Sequence, residues 1–149
     1  MELATLIVSI LAILISIGTL FCETKREYKI TRMEMENEFY TEIFKTHLIK
    51  KIPKARSVMR FDQSNHLKDS EPLIDELNEI RHDSLYYMYN NREFYLKLKE
   101  KLQTLEDFLV ENQAKTIIAD EQTLFLSNVQ EKLNDIYNTI AEIRNGKTS

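Results

Sequence analysis

Two glycines, two prolines, one cysteine and no tryptophan occur in this 149-residue chain. So little turn chemistry excludes a β-sandwich, whose many short strands are punctuated by Gly and Pro. A lone cysteine cannot staple a domain, so stability has to come from a packed core. Glycines confined to Gly18 and Gly146 rule out a Gly-rich phosphate loop. His47, His66 and His82 show neither H-x-x-x-H nor H-E-x-x-H spacing, so no metal site and no cofactor is expected. What remains is rich in Leu, Ile, Glu and Lys, a composition that leans toward helices.

Charge is missing too, and in one place only. From Leu3 to Cys22 there are 20 consecutive uncharged residues, which as a helix are about 30 Å long, the thickness of a bilayer core. A cleaved secretory signal needs a basic start and a small-residue cleavage site, but the only charge before the run is Glu2. A lipid-modified Cys22 needs a small residue before it, and Phe21 stands there. Residues 1–22 therefore read as a retained transmembrane anchor. Lys25, Arg26, Lys29 and Arg32 follow the span and no Lys or Arg precedes it. By the positive-inside rule, residues 23–149 are expected to face the cytoplasm.

The span also has a seam. Thr5, Ser9, Ala12, Ser16 and Thr19 recur at spacings of four and three, so they share one narrow stripe of a helix. Small residues let helices approach closely in lipid, and hydroxyls can bond across the contact or face water. This predicts self-association, with a hydroxyl-lined pore as its sharper version. Ile30, Met33, Tyr40 and Phe44 keep the same rhythm beyond the span, which predicts that the helix continues as a stem.

The expected fold class is all-α: one N-terminal transmembrane helix continuing as a stem into a cytoplasmic helical bundle. Pro53 predicts a break near Ile52. "FDQSNHLKDSEP" reads as the main loop, and Ser70 as the N-cap of a helix with Pro72 in its first turn. Leu73, Leu77, Ile80, Ser84, Tyr87 and Met88 mark its inner face, and Asn90-Asn91 its end or bend. A further helix carries Phe94, Tyr95, Leu98, Leu102, Leu105, Phe108 and Leu109 inward, and Asn112 closes it. The last helix places Leu126, Val129, Leu133, Ile136, Ile140 and Ile143 on one a/d seam, with Asn145-Gly146 as its stop.

Between Glu42 and Asp62 the chain carries Lys45, Lys50, Lys51, Lys54, Arg56 and Arg60 and no carboxylate. Such a basic patch can track a phosphate backbone, meet anionic lipid, or pair with an acidic face of a neighbouring copy. Glu79, Arg81, His82 and Asp83 form a polar knot that reads as a salt-bridged network. "RFDQSNH" places Arg60 and His66 in an Arg-x5-His spacing, which resembles the motif of HEPN domains, helical bundles that pair such residues to cut RNA. In that chemistry His relays a proton and Arg steadies the phosphate.

A span, a helical bundle and this spacing together resemble the small membrane-anchored, divergent HEPN-like accessory proteins of RNA-targeting (type VI-B) CRISPR systems. That resemblance implies an oligomeric, pore-forming anti-phage (antiviral) defence effector or accessory. Its partners would be other copies of itself, the lipid bilayer, and a cytoplasmic RNA-guided effector or RNA. The competing readings are a membrane-tethered HEPN-type RNase, with Arg60 and His66 catalytic, and a non-catalytic membrane scaffold.

Overall fold

The computed structural model describes residues 2–144, with side chains not described at positions 2–12, 14, 32, 33, 35, 36, 143 and 144. The described chain is mostly helical. Its packing divides into two units, the first ending at Glu38 and the second beginning at Phe39.

The first unit belongs to α1 (Glu2–Glu42). Among the described residues no helix is long and apolar enough to cross a membrane, and most side chains of the expected span lie outside that description. Of the seam, Thr5, Ser9 and Ala12 are likewise outside it, while Ser16 and Thr19 are exposed. The Thr19 hydroxyl donates to Ile15 O at 3.1 Å and Ser16 O at 2.9 Å. It is satisfied by its own helix, so small size is what this part of the seam offers to a neighbour.

The second unit runs through a π-helical segment (Ile43–Lys51), α2 (Ile52–Ser57), β1 (Arg60–Phe61) and β2 (Leu67–Lys68). It ends with α3 (Glu71–Asp83), α4 (Leu85–Asn90), α5 (Arg92–Gln113) and α6 (Ala119–Arg144). The expected break at Pro53 is instead a change of helix type. Wide turns lead up to it, with Ile52 N–H bonding His47 O five residues back. Continuing that register would require a donor at residue 53, where proline has none. The carbonyl left over, Leu48 O, accepts from the Tyr137 hydroxyl on α6. Burial raises the Tyr137 pKa, keeping the phenol a donor. Tyr137→Phe leaves the buried Leu48 carbonyl unpaired and is expected to cost about 1–3 kcal/mol, read as a lowered urea midpoint. An unchanged midpoint would show that the carbonyl finds another donor.

The predicted helix after Ser70 is two helices. Ser84 N and Oγ both bond Ile80 O, at 3.0 and 2.6 Å, and the chain turns there into α4. Ser70 stands at the right boundary but makes no side-chain cap. Its buried hydroxyl accepts from Gln113 Nε2 at 2.9 Å, pinning the start of α3 to the end of α5. Asn91 caps α5 through Phe94 N at 3.2 Å. α5 and α6 lie antiparallel, as Lys97–Glu142, Lys101–Asp135 and Phe108–Phe125 step along them in opposite directions.

The core gathers Leu73, Leu77, Ile80, Leu98, Leu102, Leu105, Leu109, Val129, Leu133, Ile136 and Ile140. Tyr40 and Phe44, expected on the stem seam, belong to this unit: Tyr40 is buried in its core and Phe44 packs against it, and the two rings stack at 5.5 Å. On α6 the seam begins at buried Phe125, and Leu126 is exposed. Ile143 and the Asn145-Gly146 stop lie outside the described residues.

Candidate functional site

The polar residues gather in two places. The first is the loop after α2, which folds into a hairpin with Arg60 opposite Lys68 and Phe61 opposite Leu67. Its turn is built by Asp62, whose Oδ1 accepts from Ser64 N at 2.8 Å and His66 N at 2.9 Å. The His66 amide is the larger influence holding the Asp62 carboxyl below the usual carboxylate range. Asn65 takes the left-handed conformation (φ 62°) that Asn tolerates. Its carbonyl accepts from Ile117 N at 2.9 Å and its side-chain oxygen from Gln122 Nε2 at 3.0 Å. The His66 ring reaches Thr116 Oγ1 at 3.3 Å, and its backbone bridges to the same residue.

Arg60, in β1, and His66, just before β2, thus sit on opposite arms of the hairpin with partners of their own. Arg60 is exposed and ion-paired to Asp69 at 2.6 Å. His66 faces Asp62 at 3.8 Å and the connector between α5 and α6. Both residues have a structural task in fastening a hairpin.

The second place is buried. His47, in the π segment, is 1% exposed and is met by a carboxylate at each ring nitrogen. Glu76 Oε1 lies 2.5 Å from Nδ1 and Asp83 Oδ2 lies 3.0 Å from Nε2. Glu76 and Asp83 are seven residues apart on α3 and so share a face. An ionised carboxylate only accepts, so each of these two contacts calls for an N–H on the ring nitrogen that faces it. Lys51, one turn on, bonds Glu79 and approaches Glu76 Oε2 to 3.8 Å. The Glu79 hydrogen bond is the chief cause of a raised Lys51 pKa. Burial alone would raise the Asp83 carboxyl, but hydrogen bonds from His82 and His47 outweigh it and hold it below its ordinary value.

His47, Glu76 and Glu79 place three possible ligand atoms within 4.8 Å of one another. A metal ion fits this set poorly, because the Lys51 ammonium already stands among its carboxylates and both His47 nitrogens are engaged. The cluster is a charge-compensated clasp between the π segment and α3. The polar knot read from the sequence holds two of its five members: Glu79 and Asp83 belong, Arg81 turns instead to Glu106 on α5, and His47, Lys51 and Glu76 lie outside that knot. The available signal was Glu76 itself, a carboxylate inside the Leu73–Leu77–Ile80 stripe that needs a buried partner.

The basic patch is divided by the fold. Lys51 and Arg60 are ion-paired, Lys45, Lys50 and Lys54 are exposed, and Arg56 is half-buried. Comparison with known proteins adds no relative: no family model, no curated protein and no solved structure matches this chain.

Proposed function

We propose that the protein is a single-pass protein of the bacterial inner membrane, with a cytoplasmic helical bundle, that self-associates and perturbs or permeabilises the membrane as an anti-phage defence effector or accessory. The observation that carries this reading is the apolar surface around residues 13–21. Ile13, Ile17, Leu20 and Phe21 are each more than half exposed on one side of the Ser16/Thr19 stripe, and Ile15 on the other. Exposing such side chains to water costs about 1.5–3 kcal/mol each, so the surface calls for lipid or neighbouring helices around it. The flanks agree in kind: Lys25 lies over the Phe21 ring at 5.1 Å, a pairing suited to the edge of a bilayer.

In this reading the bundle works by assembly and not by cleaving RNA. The engagement of Arg60 with Asp69 and of His66 with Thr116 supports that side of it. A cytoplasmic RNA-guided effector, or RNA on the exposed lysines, would supply the trigger.

The protein is expected to stay in the membrane fraction through carbonate and high-salt washing, and expression is expected to depolarise cells carrying a potential-sensitive dye. Release by salt would overturn the anchor. Retention without depolarisation, coupled with RNA cleavage lost in His66→Ala, would replace this reading by a tethered nuclease.

A further inference from the structure

We propose that the cleft between α2 and α6 is a binding site for a small phosphorylated molecule, no larger than a mononucleotide, with Arg56 as its anion anchor. This inference does not rest on the membrane reading. The cleft is a half-enclosed cavity of about 330 Å³, at the small end of the range that holds organic ligands.

The anchor is unusual in its accounting. Arg56 Nε is buried with no hydrogen-bond partner among the described residues, and no carboxylate among them pairs with its guanidinium. Arg81, the other arginine with a buried Nε, has Glu106 and Asn78 on its remaining nitrogens. A buried donor left without a partner is costly to the fold alone, and a guanidinium fork is shaped to take two oxygens of one anion.

The rest of the lining is uncharged, with Ser57, Gln130, Asn134 and Tyr137 polar and Ile52, Pro53 and Leu133 apolar. Gln130, Leu133, Asn134 and Tyr137 face the cleft from α6 at the spacing of one helical stripe. Glu131 and Asp135 are not among the lining residues. Gln130 Nε2 donates to Asn134 Oδ1 at 2.9 Å, which leaves the Asn134 amide nitrogen free to donate to a ligand. The Ser57 and Tyr137 hydroxyls already donate to Lys54 O and Leu48 O, so their oxygens are available as acceptors for ligand hydroxyls. No acidic residue lies between Glu42 and Asp62, and Lys54 adds positive charge nearby. A multiply charged phosphate suits two donors in such a field, and Pro53 and Leu133 offer apolar surface to the organic part.

The test is titration of the full-length protein in mild detergent with inorganic phosphate, a nucleoside monophosphate and the parent nucleoside, followed by calorimetry. Vesicles containing phosphatidic acid form a separate arm. Saturable binding is expected for the monophosphate, more weakly for phosphate, and none for the nucleoside. Arg56→Gln should weaken it at least tenfold, the loss of one charge-assisted hydrogen-bonded anchor. Asn134→Leu should weaken it several-fold, and Lys54→Gln less than threefold.

Ligand-free Arg56→Gln should melt no lower than wild type, because it removes a buried Nε donor that has no partner. A large drop in its melting temperature would mean that Arg56 serves the fold, and would overturn the proposal. So would equal losses for Lys54→Gln and Arg56→Gln, which indicate diffuse attraction only. Binding confined to vesicles would assign the phosphate to a lipid headgroup and overturn the small-molecule source. Binding of single-stranded RNA with no mononucleotide binding would overturn the site as drawn.

Discussion

His47→Ala is expected to lose about 3–5 kcal/mol of stability, the usual cost of stripping one partner from a buried ionic pair. The reason lies in what stays behind. Glu76 is 6% exposed and would keep only Lys51 at 3.8 Å, while Asp83 would lose the hydrogen bond that helps hold it ionised. Urea unfolding of the full chain followed by circular dichroism gives the number. The double variant His47→Leu, Glu76→Leu removes the uncompensated charge along with its partner, so it should be more stable than the sum of the two single changes allows. A His47→Ala loss below about 1 kcal/mol, or strict additivity in the double variant, would show that the clasp contributes little.

Phe125→Ala should be nearly as damaging, at about 3–5 kcal/mol for an aromatic ring taken out of a packed core. Phe125 stacks on Phe108 with centroids 5.1 Å apart and meets the edge of Phe61 at 5.6 Å. It therefore joins α5, α6 and the hairpin in one contact. The neighbouring Leu126→Ala should cost about 1 kcal/mol or less, because that side chain is 37% exposed and surface truncations rarely do more. The contrast is the measurement: paired denaturation curves in which Leu126→Ala is the worse of the two would restore the a/d seam that heptad spacing suggests.

That seam illustrates what the sequence carries and what it does not. Val129, Leu133, Ile136 and Ile140 are legible from spacing because α6 packs along its whole length against α5. The error comes near its start, at Phe125 and Leu126, where the partner is no longer α5 alone but a hairpin delivered from residues 60–68. Periodicity sees one helix at a time, so it could not choose between Phe125 and Leu126. Likewise the apolar stripe of α3 was plain, but the Ser84 turn depends on a hydroxyl bonding Ile80 O, and many serines do this without ending a helix. The loop "FDQSNHLKDSEP" was read as irregular because its strands are two residues each, too short to show alternation. For the site residues, the Arg60 and His66 spacing was visible while their partners, Asp69 and Thr116, were not. Arg56 stood out only as one charge in a basic run, since nothing in a sequence marks which cation lacks a partner.

The ties from Asn65 and His66 to Thr116, Ile117 and Gln122 bear on the order in which the bundle comes together. They join residues 50 and 57 positions apart, whereas α5 and α6 are joined by a connector of only a few residues. Closing a long loop costs entropy before any contact returns it, and topologies rich in local pairings assemble fastest. The α5–α6 hairpin can thus form early on its own, and the β-hairpin can dock only once the connector it grips already exists. A hairpin that docks after the rate-limiting step should slow the unfolding of the assembled bundle more than it speeds its formation.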